Sequence, residues 1–152
     1  MVEKQELTNG AELHELTAAE IFETDDSRVE RVEVPEWGGY VFIRGLTGEE
    51  RDAFENSIIE GRGRNREINL RNFRAKLVVA AAVNSKGQQL FSDSSHVMRL
   101  GKKSARALER LFEKAQELAG LREEDINEMT KELGKGQNGD SGSVSPLLSG
   151  SQ

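Results

Sequence analysis

The stretch from Val29 to Arg51, VERVEVPEWGGYVFIRGLTGEER, restricts the fold more than any other part of the chain. It holds two alternating runs, a Pro/Gly turn between them, and a helix start with no linker. In the first run Glu30, Val32 and Val34 share one side, and Val29, Arg31 and Glu33 the other. In the second, Val41 and Ile43 share a face opposite Tyr40, Phe42 and Arg44. A β-hairpin over about 29–45 follows, with Trp37 at its turn. A two-stranded hairpin is marginal alone, so the face carrying Val32, Val34, Val41 and Ile43 must lie on helices. Thr47 and Glu50 form a capping box, which predicts a helix over about 48–60. Phe54 and Ile58 mark its inner face, and Arg51 and Glu55 can pair on the outer one.

The flanking segments supply the helices. Residues 1–14 have no periodicity and read as a flexible arm. A short helix begins at a second capping box, Thr17 with Glu20, ahead of Ile21 and Phe22, and TDDSR breaks it. GRGRNRE is an exposed loop carrying Arg62, Arg64 and Arg66. Asn69 then caps a helix over about 70–83, amphipathic through Leu70, Phe73 and Leu77 and apolar all round from Val78 to Val83, so it should be central and buried. NSKGQQLF is a turn with Lys86 and Gly87 near its apex. A short helix over about 93–100 opens at Ser92 or Asp93. The most regular helix, 105–119, runs from Ser104 to Gly120 with Leu108, Leu111, Phe112, Ala115 and Leu118 at helical spacing. Leu121, Ile126, Met129 and Leu133 suggest a last helix over 122–133, and the Gly/Ser-rich segment 134–152 reads as disordered. The expected fold is α+β and mostly helical: one domain over 15–133, with the hairpin packed on a bundle of about four to five helices.

Composition narrows the function. The chain has 152 residues, 32% of them charged, and no cysteine, so disulfides, thiolate nucleophiles and cysteine-ligated zinc are excluded. No run approaches the roughly 18 apolar residues of a membrane span, and the acidic N-terminus is unlike a signal peptide, which places the protein in the cytosol. The net charge of −6 is unevenly spread: −11 over residues 1–60, +9 over 61–110 and −4 over 111–152. Such blocks either pair within the fold or make a bipolar surface, and internal pairing is the simpler reading.

Catalytic groupings are absent. His14 and His96 are far apart in sequence, carboxylates sit in caps and acidic arms, and GRGR lacks the strand and Lys-Ser/Thr of a phosphate loop. No enzymatic role, metal or cofactor is expected. Arg62, Arg64, Arg66, Arg71, Arg74 and Lys76 could follow phosphates, yet no aromatics interleave with the loop arginines and the whole chain is acidic, which argues against nucleic acid. A small interaction module remains. Its best contact candidates are Trp37, Tyr40, Phe42 and Arg44 at the free face of the hairpin, aromatics burying large area at modest entropic cost. The competing reading is that the helix around Thr17 to Phe22 covers those rings.

The order of motifs resembles the tail assembly chaperones of long-tailed bacteriophages and prophages. LTAAEIF, VEVPEWGGYVFIRGLTGEERDAFE, LVVAAAVNSKGQQLFS and LGKKSARALERLFEKAQELAGL follow one another, then a ragged polar tail, so that the likeness covers residues 16–133. The resemblance implies a protein that binds the tape-measure protein, a very long, largely helical and aggregation-prone chain, in the host cytoplasm. It would keep that client soluble until tail-tube subunits polymerise around it, and be absent from the mature virion. It also implies a longer form made by programmed frameshifting, for which Gly134-Lys135 is a candidate position, Gly-Lys being a pair that a slippery heptamer can encode. A structural tail or head-tail connector subunit, and a nucleic-acid-binding regulator, are the alternative classes.

Overall fold

The computed structural model describes residues 12–129 and 131. Most of the expected N-terminal arm and all of the tail over 134–152 lie outside the described residues, as do Gly134 and Lys135. The fold is α+β and mostly helical. In chain order it contains α1 (Ala18–Glu23), β1 (Val29–Val34), a 3₁₀ turn (Pro35–Trp37), β2 (Gly39–Arg44), α2 (Gly48–Ser57), β3 (Ile59–Glu60), a second 3₁₀ turn (Gly63–Asn65) and β4 (Glu67–Ile68). Then follow α3 (Phe73–Ala81), β5 (Ala82–Val83), α4 (His96–Leu100), α5 (Ala105–Ala119) and α6, described over 123–129.

β1 and β2 form the expected antiparallel hairpin, with Val32 opposite Val41 and Glu30 opposite Ile43. The turn closes through Gly38 at φ +74°, a backbone conformation that glycine adopts without steric cost. Val34 and Ile43 are fully buried, and Val32 and Val41 pack against the same core. α5 crosses this inner face and packs on α3. α5 matches its expected bounds because its signals are local: the Ser104 hydroxyl accepts from the Ala107 N–H, and Gly120 takes the left-handed conformation at the other end. Phe54 of α2, Phe73 of α3 and Phe112 of α5 form a row of rings, with centroids 5.4 and 5.7 Å apart, that joins three helices.

Several boundaries differ from expectation. α2 stops at Ser57, whose hydroxyl donates to the Phe54 carbonyl, and Ile59–Glu60 leave the helix to pair with Glu67–Ile68. The arginine loop thus tips a miniature hairpin. α3 starts at Phe73 instead of residue 70, because the Asn69 carboxamide accepts from the Arg71 N–H in a local turn and Asn72 adopts φ +56°. α3 also ends two residues early, at Ala81. Ala82 and Val83 become a third strand on β2, opposite Ile43 and Phe42. The sheet order is therefore β1-β2-β5. An apolar run such as VVAAAV suits a buried helix or a buried strand, and the unpaired edge of β2 takes its last two residues. α4 likewise begins three residues after the expected 93, behind a turn in which Asp93 accepts from the Ser95 N–H.

Candidate functional site

The outer face of the hairpin carries Val29, Arg31 and Glu33 from β1 and Tyr40, Phe42 and Arg44 from β2. α1 does not cover it. That helix forms as its capping box dictates, with Thr17 and Glu20 exchanging both bonds, but it buries no residue. Tyr40 remains exposed, with the Arg31 guanidinium 4.6 Å from its ring centroid. The edge of the Tyr40–Phe42 pair, at 5.5 Å between centroids, continues the array toward Phe42, which is half-buried opposite the buried Val83. A cation over a ring and an edge-to-face aromatic pair make a surface able to take up apolar area while keeping one charge in water.

Arg44 is held differently. Its two terminal nitrogens donate to both oxygens of Glu50, each at 3.0 Å, and Nη1 also donates to the Gly45 carbonyl. Glu50 Oε1 in turn accepts from the Thr47 N–H at 2.9 Å. Arg44 beside it is the main reason the Glu50 carboxyl lies below the usual carboxylate range. This guanidinium fixes β2 to the start of α2.

Trp37 lies on the opposite side of the hairpin from Tyr40. The 3₁₀ turn curls the indole under the sheet, where it packs half-buried against the core. There it lines a groove with a volume of about 610 Å³, whose apolar wall includes Val41, Leu90, Phe91 and Leu100. His96, Arg99 and Lys103 supply its polar groups. The turn is clamped in place by Glu36, which accepts from Arg110 Nε and Nη2 of α5 at 2.9 and 3.0 Å. That contact, followed by a bond from its own backbone, lowers the Glu36 pKa. Lys114 of α5 reaches Glu30 of β1 at 2.9 Å, and Arg74 reaches Glu109 at 2.7 Å. Part of the uneven charge is thus paired inside the domain.

Among the described residues, no group of His, Asp and Glu side chains could hold a metal ion, and no helix is long and apolar enough to cross a membrane. A protein-family model described as phage tail assembly chaperone matches residues 16–132. The chain belongs to that family. The solved structure of the bacteriophage HK97 tail assembly chaperone is also similar to this chain, at 19% identity and a TM-score of 0.46, covering 78% of this chain and 95% of that one. No curated protein matches the chain.

Of the four contact candidates in this family member, the structure brings Tyr40 and Phe42 together, ties Arg44 to Glu50 and places Trp37 in a separate groove. Sequence reasoning missed the groove. Its signals were the apolar pair Leu90-Phe91 beside a turn and the basic residues Arg99 and Lys103 around α4, and only folding brings them to Trp37.

Proposed function

We propose that this tail assembly chaperone binds the tape-measure protein, keeps it soluble in the host cytoplasm and releases it as tail-tube subunits polymerise around it, without entering the virion. The role is binding and not catalysis. The observation that carries the reading is the uncovered array of Arg31, Tyr40 and Phe42 on the outer face of the hairpin of a family member. A long helical client exposes apolar stripes, and an aromatic surface on an acidic carrier covers them while the net charge of −6 keeps the complex soluble. Many shallow contacts of this kind suit a client that must later be given up. A longer form made by frameshifting near the Gly134-Lys135 codons would share this domain.

Co-expression with the long, helix-coding frame expected beside the gene tests the reading. The chain should raise the soluble fraction of that product. Arg31→Ser with Tyr40→Ser should lower it while helical circular dichroism stays unchanged. A client equally soluble with and without the chain would overturn the proposal. Sequencing the gene across the Gly134-Lys135 codons for a slippery heptamer and an overlapping −1 frame tests the longer form separately.

A further inference from the structure

The groove beside the hairpin turn has an apolar wall of Trp37, Val41, Leu90, Phe91 and Leu100, and its ionisable side chains, His96, Arg99 and Lys103, are all basic. Leu90 is 43% exposed there, and Trp37 and Phe91 are only half-buried. The groove also lies beside an open sheet edge. β5 pairs with Phe42 and Ile43 alone, so that among the described residues no strand covers the same edge of β2 from Gly39 to Val41. An apolar trough next to an unpaired edge takes an extended segment in preference to a helix.

A segment that fits lies outside the described residues. Beyond Leu133 the sequence is GKGQNGDSGSVSPLLSGSQ, polar and Gly/Ser-rich apart from one cluster, Val144, Pro146, Leu147 and Leu148. A linker has no need of such a cluster. Pro146 cannot continue a helix and biases Ser145 toward extended backbone. After Lys135 the only charged side chain is Asp140, an acid to set against a basic rim. The reach fits as well. Lys103, on the groove, immediately precedes the Ser104 cap of α5, and α6 leaves from the other end of α5 after Gly120, held to the core by Ile126 and Met129. The two points are therefore separated by the 15 residues of α5, about 22 Å. Lys131 and Leu147 are sixteen steps apart, and a Gly/Ser-rich chain of that length spans about 22 Å on average. A linker whose mean span equals the distance gives the highest effective concentration, in the millimolar range.

We propose that residues 144–148 dock in the Trp37 groove of their own chain, with Leu147 and Leu148 against Trp37 and Phe91. The segment is an internal stopper: it shields the apolar wall from water in the free protein, and any outside segment that enters the groove must first displace it. The Tyr40 face, on the other side of the hairpin, stays open meanwhile.

Trp37, the only tryptophan, reports on the groove. In the full chain, Leu147→Ser with Leu148→Ser should shift Trp37 emission to the red and raise its quenching by acrylamide, with circular dichroism unchanged. A synthetic peptide of residues 142–150 should reverse the shift when added to that variant. It should bind the wild type about tenfold more weakly, because the wild type's own segment competes at a millimolar effective concentration. The same peptide carrying both serines should do neither. Leu90→Ser, on the groove wall, should remove most of the difference that the two tail serines make. Because the contact is internal, the difference between wild type and the serine variant should not change on dilution. Trp37 emission that ignores the two serines overturns the proposal, and so does a difference that survives Leu90→Ser, which would seat the segment elsewhere. A difference that fades on dilution would put the segment in another copy, and overturns the internal contact as well.

Discussion

Glu36 in the hairpin turn and Arg110 on α5 meet through three hydrogen bonds, from Nε at 2.9 and 3.2 Å and from Nη2 at 3.0 Å, across 74 positions of sequence. The pair holds the turn that carries Trp37 against the longest helix of the domain. Glu36 has its pKa lowered by that contact and Arg110 has its own raised. A carboxyl whose folded pKa is depressed contributes stability that is complete above its unfolded value and is lost as pH falls through the lowered folded value. The clamp therefore holds at neutral pH and opens only in acid. In Arg110→Gln, the titration midpoint of the Glu36 carboxyl, followed by NMR, should rise toward that of a free glutamate. Trp37 emission should become sensitive to pH in a range where the wild type is flat. An unchanged midpoint would mean that the pair does not form in solution.

Glu50 does two jobs with one carboxylate. It completes the Thr47 capping box and binds Arg44, whose side chain is only 16% exposed. The Glu50 side chain is itself 37% exposed, so solvent screens much of the charge interaction, and the lost cap and unpaired guanidinium dominate the effect. Glu50→Ala should cost about 1–3 kcal/mol in urea unfolding, and Thr47→Ala about 1 kcal/mol. In a double-mutant cycle, Arg44→Ala and Glu50→Ala should be non-additive. A loss below about 0.5 kcal/mol for Glu50→Ala, the level of an ordinary surface change, would show that the network is decorative.

Trp37 and Tyr40 stand three residues apart and should respond differently. Trp37 packs against the core, so Trp37→Ser removes buried aromatic area and should destabilise the domain by about 2–4 kcal/mol. Tyr40 is 53% exposed on the other side, and Tyr40→Ser should stay within about 1 kcal/mol of wild type. Thermal unfolding of the two single variants decides this. Equal losses would place both rings in one environment.

Local signals were legible in the sequence in proportion to how little they depended on the rest of the chain. The Thr17, Thr47 and Ser104 caps, the stop at Gly120 and the alternating faces of the hairpin are set within a few residues, and the structure has them where the residues put them. Burial of Val34 and Ile43 over α5 followed from alternation, because a two-stranded hairpin cannot stand without a covered face. The phage tail assembly chaperone resemblance rested on the same order of local motifs.

What needed the tertiary structure was every choice between two locally equal options. VVAAAV could have stayed helical to its end, and β2's open edge made a strand of Ala82 and Val83. IIE could have extended α2, and pairing with Glu67 and Ile68 turned it away. Trp37 could have faced either side of the hairpin, and the Glu36–Arg110 clamp with the 3₁₀ turn set it beside Phe91 and Leu100. Caps and alternation are decided by neighbours within about one helical turn or one strand pair, so the amino-acid sequence by itself determines them. Edges, grooves and long-range ion pairs are decided by which surfaces the closed chain brings together, and no stretch of sequence contains both sides of such a contact.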